Sequence, residues 1–273
     1  TLAGSQRLPG GRPASSRGVA GPRGAAPVSP MSVKDQLAVV KANVEAASAA
    51  RVEALKASAP AAVRLVAVSK TKPVEALVEA YEAGQRHFGE NYVQELVEKV
   101  PQMPEDVQWH FIGHLQGNKV PMLVKGCPTL ACLETIDSEK LARTLDKAWV
   151  SAYPDRRLRV MVQVNSSGEE TKNGVPAEEI PGLCQVIAEE CKGLELVGLM
   201  TIGAPDYSGC RVEDFQTLHR CRQEAAAVLG IDAGSLELSM GMSSDYENAI
   251  LEGSSSVRVG SSIFGARHYP AKA

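Results

Sequence analysis

From Val33 onward, apolar residues recur at spacings of three and four: Val33, Leu37, Val40, Val44 and Ala47. That period predicts a helix from Met31 to about Ala57, closed by Pro60. The pattern then changes to Val63-Arg64-Leu65-Val66-Ala67-Val68-Ser69, a β-branched run of strand length. Pro73 suits the first turn of a helix over 74–83, and Gly84 ends it. Further strands are predicted at 86–89, 108–113, 130–135, 158–165, 195–200, 236–240 and 257–260. Helical patterns fall between them, near 91–100, 115–125, 138–151, 177–192, 212–229 and 245–252. Eight strands, each separated from the next by a helix, argue for a parallel sheet with helices outside. Eight units in roughly 240 residues is the size of a closed (β/α)8 TIM barrel. A doubly wound open α/β sheet has the same periodicity and stays open as an alternative.

In a barrel, chemistry gathers at the C-terminal strand ends. The first strand closes on Ser69-Lys70-Thr71-Lys72, the second on Gly89-Glu90-Asn91 and the third on Gly113-His114. The fifth closes on Asn165-Ser166-Ser167 and the sixth on Met200-Thr201. The seventh closes on Ser239-Met240-Gly241-Met242-Ser243, and the eighth on Gly260-Ser261-Ser262. Strand alternation puts Arg64, Val66, Val68 and Lys70 on one face, so a lumen-facing Val66 brings Lys70 with it. A desolvated lysine near another cation, here Lys72, loses its proton more readily and becomes an amine able to form a Schiff base with an aldehyde. The alternative is a lysine that snorkels out at a strand end. Lys72 itself is either a second amine of the site or a solvated charge.

Arg258 alternates with Val257 and Val259, which puts it on the lumen face with Gly260. There it needs a carboxylate or a ligand acceptor. Ser244 with Glu247 fits a capping box, and the helix start beside Ser243 could receive phosphate. Gly260-Ser261-Ser262 would let backbone N–H groups approach the same anion. Read singly, these are also ordinary turn and cap residues.

Composition narrows the function. The 273 residues carry a formal charge of −3, without the basic excess of a dedicated nucleic-acid binder. No apolar run approaches the roughly 20 residues of a membrane helix. Six scattered cysteines without a CxxC pair are expected to be reduced and mostly buried. Residues 1–30 hold 20 Gly, Pro, Ala or Ser and four Arg, with no Asp, Glu or Lys. They cannot bury enough surface to fold and are read as a leader: an organelle transit peptide, or vector-derived or translated-leader sequence ahead of Met31. The folded domain, 31–273, then has 25 basic against 32 acidic residues. The chain is expected in the cytoplasm, or in a mitochondrion or plastid if the leader is a transit peptide. No GxGxxG or GxxxxGK[ST] occurs. His110 and His114 fall on a strand and turn and do not share a metal-binding face. His87, His219 and His268 read as isolated, Trp109 and Trp149 as packing, and Arg156-Arg157-Arg159 as a solvated edge.

Six ungapped segments carry a family resemblance: Val66-Ala67-Val68-Ser69-Lys70-Thr71-Lys72-Pro73, Phe88-Gly89-Glu90-Asn91-Tyr92-Val93-Gln94-Glu95, Trp109-His110-Phe111-Ile112-Gly113-His114-Leu115-Gln116, Gly198-Leu199-Met200-Thr201-Ile202-Gly203, Leu238-Ser239-Met240-Gly241-Met242-Ser243 and Val257-Arg258-Val259-Gly260-Ser261-Ser262-Ile263-Phe264-Gly265. Across 63–269 the chain resembles the pyridoxal phosphate homeostasis family. The resemblance implies a fold like the barrel domain of alanine racemase. It implies pyridoxal 5′-phosphate (PLP) as a Schiff base on Lys70, phosphate contacts from Ser243, Gly260 and Ser261, and Arg258 at the pyridine nitrogen. Asn91, His114 and Met242 match further pocket-lining positions. Gly253-Ser254-Ser255-Ser256 and Ser262 depart from the family's more usual Ser/Thr-Asn pattern, but hydroxyls remain at Ser261 and Ser262.

The racemases complete their site with a β-domain after the barrel, and this sequence ends about a dozen residues past the eighth strand. An arginine at the ring nitrogen also weakens the electron sink. The expected function is therefore a PLP carrier in vitamin B6 homeostasis, storing the cofactor or supplying it to apo-enzymes with little or no turnover. It is expected as a monomer or weak dimer with no nucleic-acid or membrane partner and no metal. A slow PLP-dependent amino-acid racemase or decarboxylase is the alternative.

Overall fold

The structure, a computed structural model, describes residues 31–55, 62–168, 173–203 and 210–266. The leader at 1–30, the stop at Pro60 and His268 lie outside the described residues. Helix α1 (Val33–Leu55) precedes strand β1 (Arg64–Val68), and strands and helices then alternate: α2 (Val74–Glu82), β2 (His87–Glu90), α3 (Val93–Lys99), β3 (Gln108–Phe111), α4 (Val120–Gly126), β4 (Leu130–Ile136), α5 (Glu139–Ala152), β5 (Leu158–Gln163), α6 (Ile180–Glu190), β6 (Leu194–Met200), α7 (Val212–Leu229), β7 (Glu237–Ser239), α8 (Tyr246–Leu251), β8 (Ser256–Val259) and a short α9 (Ser261–Phe264). All strand pairs are parallel, and β1 pairs with both β2 and β8, so the sheet closes and the open alternative falls. The closing register sets Val66 opposite Arg258.

Several strands are shorter than their apolar patterns. Residues 112–113, 164–165, 240 and 260 fall beyond the strands proper and become the rim. Alternation sorts the side chains into two layers. Leu65, Ala67, Val160, Val162, Val257 and Val259 face outward into one continuous shell with Leu37, Val40 and Val44 of α1. Val66 and Val68 lie outside that shell, facing the lumen as the strand period requires. Trp109 and Trp149 are fully buried, as their packing role predicts. Burying such side chains stabilises by about 1.5–3 kcal/mol each. Within the lumen, Cys132, Met161, Val197 and Met200 form a small separate cluster. All six cysteines are free thiols, five of them buried. No helix among the described residues is long and apolar enough to cross a membrane.

Two local expectations change. Ser244 does not cap α8; the helix begins at Tyr246 with Asp245 at its N-cap. Asp245 Oδ1 accepts from Met242 N at 2.5 Å instead, so this carboxylate braces the loop after β7. The run at 156–159 is not a solvated edge throughout. Arg156 stacks on Trp149 and Tyr153, 4.9 and 4.8 Å from their ring centres. Arg159 pairs with Glu237 inside the barrel.

Gly198 sits where the β5–β6 register shifts. A Cβ there would lie 2.2 Å from Glu237 O on β7, a backbone atom that cannot yield cheaply. Gly198→Ala is expected to destabilise by about 1–3 kcal/mol, the usual cost of overpacking, read as a lower urea midpoint at unchanged m-value.

Candidate functional site

The lumen is charged at its base. Arg64 on β1 donates to Glu237 on β7, Nη1 to Oε2 at 2.6 Å and Nη2 to Oε1 at 3.1 Å, and Arg159 on β5 reaches the same carboxylate. These strands are not neighbours, so the three side chains meet only by pointing inward. Burial pushes the Glu237 carboxyl up, but the hydrogen bonds and charges of Arg64 and Arg159 outweigh it and hold the group below its ordinary range.

Above this floor a polar chain crosses the barrel. His87 Nδ1 faces His110 Nε2 at 3.0 Å, and His110 Nδ1 faces Glu134 Oε1 at 2.7 Å. Ser239 Oγ donates to Glu134 Oε2 at 2.5 Å and accepts from Arg258 Nη1 at 2.6 Å. Arg258 Nη2 donates to Thr201 O at 2.7 Å. Arg258 is 4% exposed, and Glu134 and Ser239 are fully buried. The sequence demanded a partner for a buried Arg258. It has two, a hydroxyl and a carbonyl, with the carboxylate one step beyond. Burial alone would raise the Glu134 carboxyl; the hydrogen bond and charge of His110, with Arg258 and Ser239, outweigh it and hold the group at about 2.

His110, Cys132 and Glu134 bring three ligand-type atoms within 4.8 Å of one another. Both ring nitrogens of His110 already face partners, and burial holds the Cys132 thiol well above its ordinary value, so this group reads as a buried hydrogen-bond network beside a neutral thiol. His87 is not isolated, because the β2–β3 register sets it beside His110.

On this polar layer rests a cavity of about 320 Å³ at the C-terminal rim. Seven of the eight site residues anticipated from sequence line it: Lys70 after β1, Asn91 after β2, Met242 and Ser243 after β7, and Arg258, Gly260 and Ser261 at the end of β8. Val68, Ile112 and Ile202 supply apolar wall, and Ser244 adds a hydroxyl that sequence reasoning had spent on a cap. His114 stands apart. It is exposed, pairs with Asp137 at 2.9 Å, and lines a neighbouring cavity of about 300 Å³ that shares Asn91. Ser166 turns away to Thr201 Oγ1 and Asp214, at 2.8 and 2.7 Å.

The two serine-bearing loops are tied together: Gly260 N donates to Ser243 Oγ at 3.2 Å. A Cβ on Gly260 would stand 3.2 Å from Val68 O, so a side chain there would crowd the strand that delivers Lys70. Asn91 Oδ1 is buried with no hydrogen-bond partner within the protein. Lys72 is not a solvated charge. Its Nζ donates to Gly265 O at 3.0 Å and Ala266 O at 2.7 Å, clasping the chain after α9, and burial lowers its pKa. Thr71, next to Lys70, has φ +61°, a left-handed conformation that costs a β-branched residue about 1–3 kcal/mol.

Comparisons with known proteins fit this geometry. The family model for the alanine racemase N-terminal domain matches residues 44–268. A Bos taurus protein named pyridoxal phosphate homeostasis protein is 49% identical over 244 residues, covering 86% of this chain and 88% of its own length. The structure of PipY from Synechococcus elongatus, solved with PLP bound, is 35% identical at a TM-score of 0.62, covering 80% of this chain and 99% of that one. Alanine racemase from Corynebacterium glutamicum, 15% identical, shares the fold at a TM-score of 0.62, over 85% of this chain and 62% of that one.

Acid should weaken the barrel through His87. Burial, then the charge of His110, lowers its pKa from the ordinary 6.5 to about 4. Between those values the unfolded chain binds the proton and the folded chain does not, so stability present above pH 6.5 is lost as pH falls toward 4. The urea midpoint is expected to drop from pH 7 to pH 4.5, and to drop less in His87→Gln; an equal drop in both would remove His87 as the cause.

Proposed function

Because the chain belongs to the pyridoxal phosphate homeostasis family, built on the alanine racemase N-terminal domain, we propose that it binds PLP in the barrel mouth, holds it covalently through Lys70, and stores or supplies it to apo-enzymes. The observation that carries this reading is the convergence of Lys70, Ser243, Arg258, Gly260 and Ser261, from β1, β7 and β8, on one cavity.

The residues present fit that group. Ser243, Ser244 and Ser261 offer hydroxyl donors for phosphate beside the backbone of Gly260, at the strand-seven and strand-eight loops where barrels commonly take phosphate. The unpartnered Asn91 Oδ1 is an acceptor at the cavity wall. Arg258 is the donor beneath it, placed for the ring nitrogen. When bound, the cofactor supplies an aldehyde carbon for the Lys70 amine and a ring that draws electrons from an attached amine.

The protein's own groups then decide how strongly that chemistry runs. Arg258 is a guanidinium fixed by Ser239 and Thr201, so it offers a ring nitrogen a held hydrogen-bond donor. Glu134, held by His110, in turn fixes the Ser239 hydroxyl to which Arg258 donates. A weakly activated ring suits a holder better than a catalyst. The hydroxyl-lined end anchors the phosphate, and Lys72 clasps the segment after α9 against the cavity edge.

The test is borohydride reduction of the PLP-loaded protein followed by peptide mass analysis. A single adduct on the peptide holding Lys70 is expected, with none in Lys70→Ala. An adduct that persists in that variant would overturn the assignment. Ser261→Ala should weaken PLP binding about 10- to 100-fold, the loss of one charge-assisted hydrogen bond.

A further inference from the structure

Lys99, at the end of α3, is 5% exposed and its ammonium is fully engaged. Nζ donates to Ser69 O at 2.8 Å, Glu90 Oε1 at 2.7 Å and Glu95 Oε1 at 2.6 Å. Those acceptors lead to the residues on either side of Lys70. Ser69 Oγ donates to Glu90 Oε1 at 2.6 Å, and Thr71 N donates to Glu95 Oε1 at 2.6 Å. One buried cation and two carboxylates therefore grip the chain immediately before and immediately after the cavity lysine. The later grip falls on Thr71, the one non-glycine residue with positive φ among the described residues.

A cluster serving stability alone is a poor choice here. Burying a lysine between carboxylates is costly, and packed apolar residues commonly do as well. What apolar residues cannot do is bond Ser69 O and Thr71 N and so fix the backbone of residue 70. Glu90 Oε2 is even left without a hydrogen-bond partner.

We propose that Lys99, with Glu90 and Glu95, is a positioning cluster for Lys70: it holds the strained Thr71 turn so that the Lys70 amine stays aimed at the cavity, and thereby sets the rate of covalent capture without touching the ligand. This rests on the PLP reading above. In the step concerned, the neutral amine's lone pair attacks the aldehyde carbon, a C=N bond forms, and the carbonyl oxygen leaves as water with the two amine protons; nothing is oxidised or reduced.

The experiment separates capture from binding. Capture is followed as the absorbance change after mixing with PLP. Binding is followed with pyridoxine 5′-phosphate, which has the ring and phosphate but no aldehyde. In Lys99→Met the capture rate is expected to fall about tenfold or more, as misplaced reactive groups do, while pyridoxine 5′-phosphate affinity stays within about twofold. Adding Thr71→Gly should restore much of the rate, because glycine adopts that turn without strain. Glu95→Ala unties Thr71 N and removes one of the three Lys99 acceptors while leaving Ser69 O and Glu90 in place, and should show the same split if Lys99→Met does not fold. Unchanged capture in these variants, or capture and binding falling together, would overturn the proposal. A wild-type protein that takes up pyridoxine 5′-phosphate and PLP but forms no covalent adduct would instead overturn the Lys70 reading, and the positioning role with it.

Discussion

A guanidinium buried in the middle of a β-barrel is the constraint around which this interior is arranged. Leaving such a charge unpaired in a dry core is prohibitive. Arg258 is therefore met by Ser239 on β7 and the Thr201 carbonyl after β6, and through Ser239 by Glu134 on β4. Glu134 in turn needs a cationic or donating partner and finds His110, which leans on His87. Each member is necessary because the previous one is there. Barrel lumens are usually filled by layers of branched apolar side chains. Here the lumen's apolar share includes the cluster Cys132, Met161, Val197 and Met200 and the side chains of Val66 and Val68, and a hydrogen-bonded chain crosses it from wall to wall.

That arrangement turns a packing problem into a platform. The cavity needs a rigid donor at its base, and a donor is rigid when its other contacts are fixed. Arg258 spends two of its nitrogens on the network below. Lys70 is delivered from the opposite side of the same seam, since β1 and β8 pair with Val66 opposite Arg258. The amine and the guanidinium thus belong to adjacent strands, four residues apart along β1 from the paired register. The serine loops complete the mouth because Gly260 continues directly from β8.

Much of this was legible in the sequence, and what was not has a physical reason. The alternation of period-two and period-3.6 segments gave eight strand–helix units, while the β1–β8 pairing that closes them into a barrel rather than an open sheet lies between strands at opposite ends of the chain. The parity of Val66, Val68 and Lys70, and of Arg258 and Gly260, gave two walls of the site. Parity is a local property, and strand geometry enforces it. The network under Arg258 was not legible, because it depends on pairings between distant strands. Glu134 lies in an apolar run, Leu130 to Ile136, and shares a face with Cys132. That carboxylate was a signal for a buried partner, but nothing local says the partner is His110. Lys99 was missed for the opposite reason. A Glu95–Lys99 pair at i,i+4 reads as a surface salt bridge, worth a few tenths of a kcal/mol in an isolated helix. Only the docking of α3 against the end of β1 shows the lysine buried on Ser69 O.

The same comparison explains why His114 leaves the site and Ser244 joins it. Both follow strand ends, and both are polar residues in short loops. His114 stands beyond Gly113, after β3 has turned outward, and Asp137 draws it further from the cavity. Ser244 was assigned a cap, but Asp245 already holds the Met242 N–H and accepts the α8 N-cap position, which leaves the Ser244 hydroxyl at the cavity. A capping box and a phosphate loop draw on the same residue types, because both use short hydroxyl and carboxylate side chains to meet unpaired backbone donors. Here neither side chain caps α8: the Asp245 carboxylate accepts from the loop backbone at Met242, and Ser244 lines the cavity.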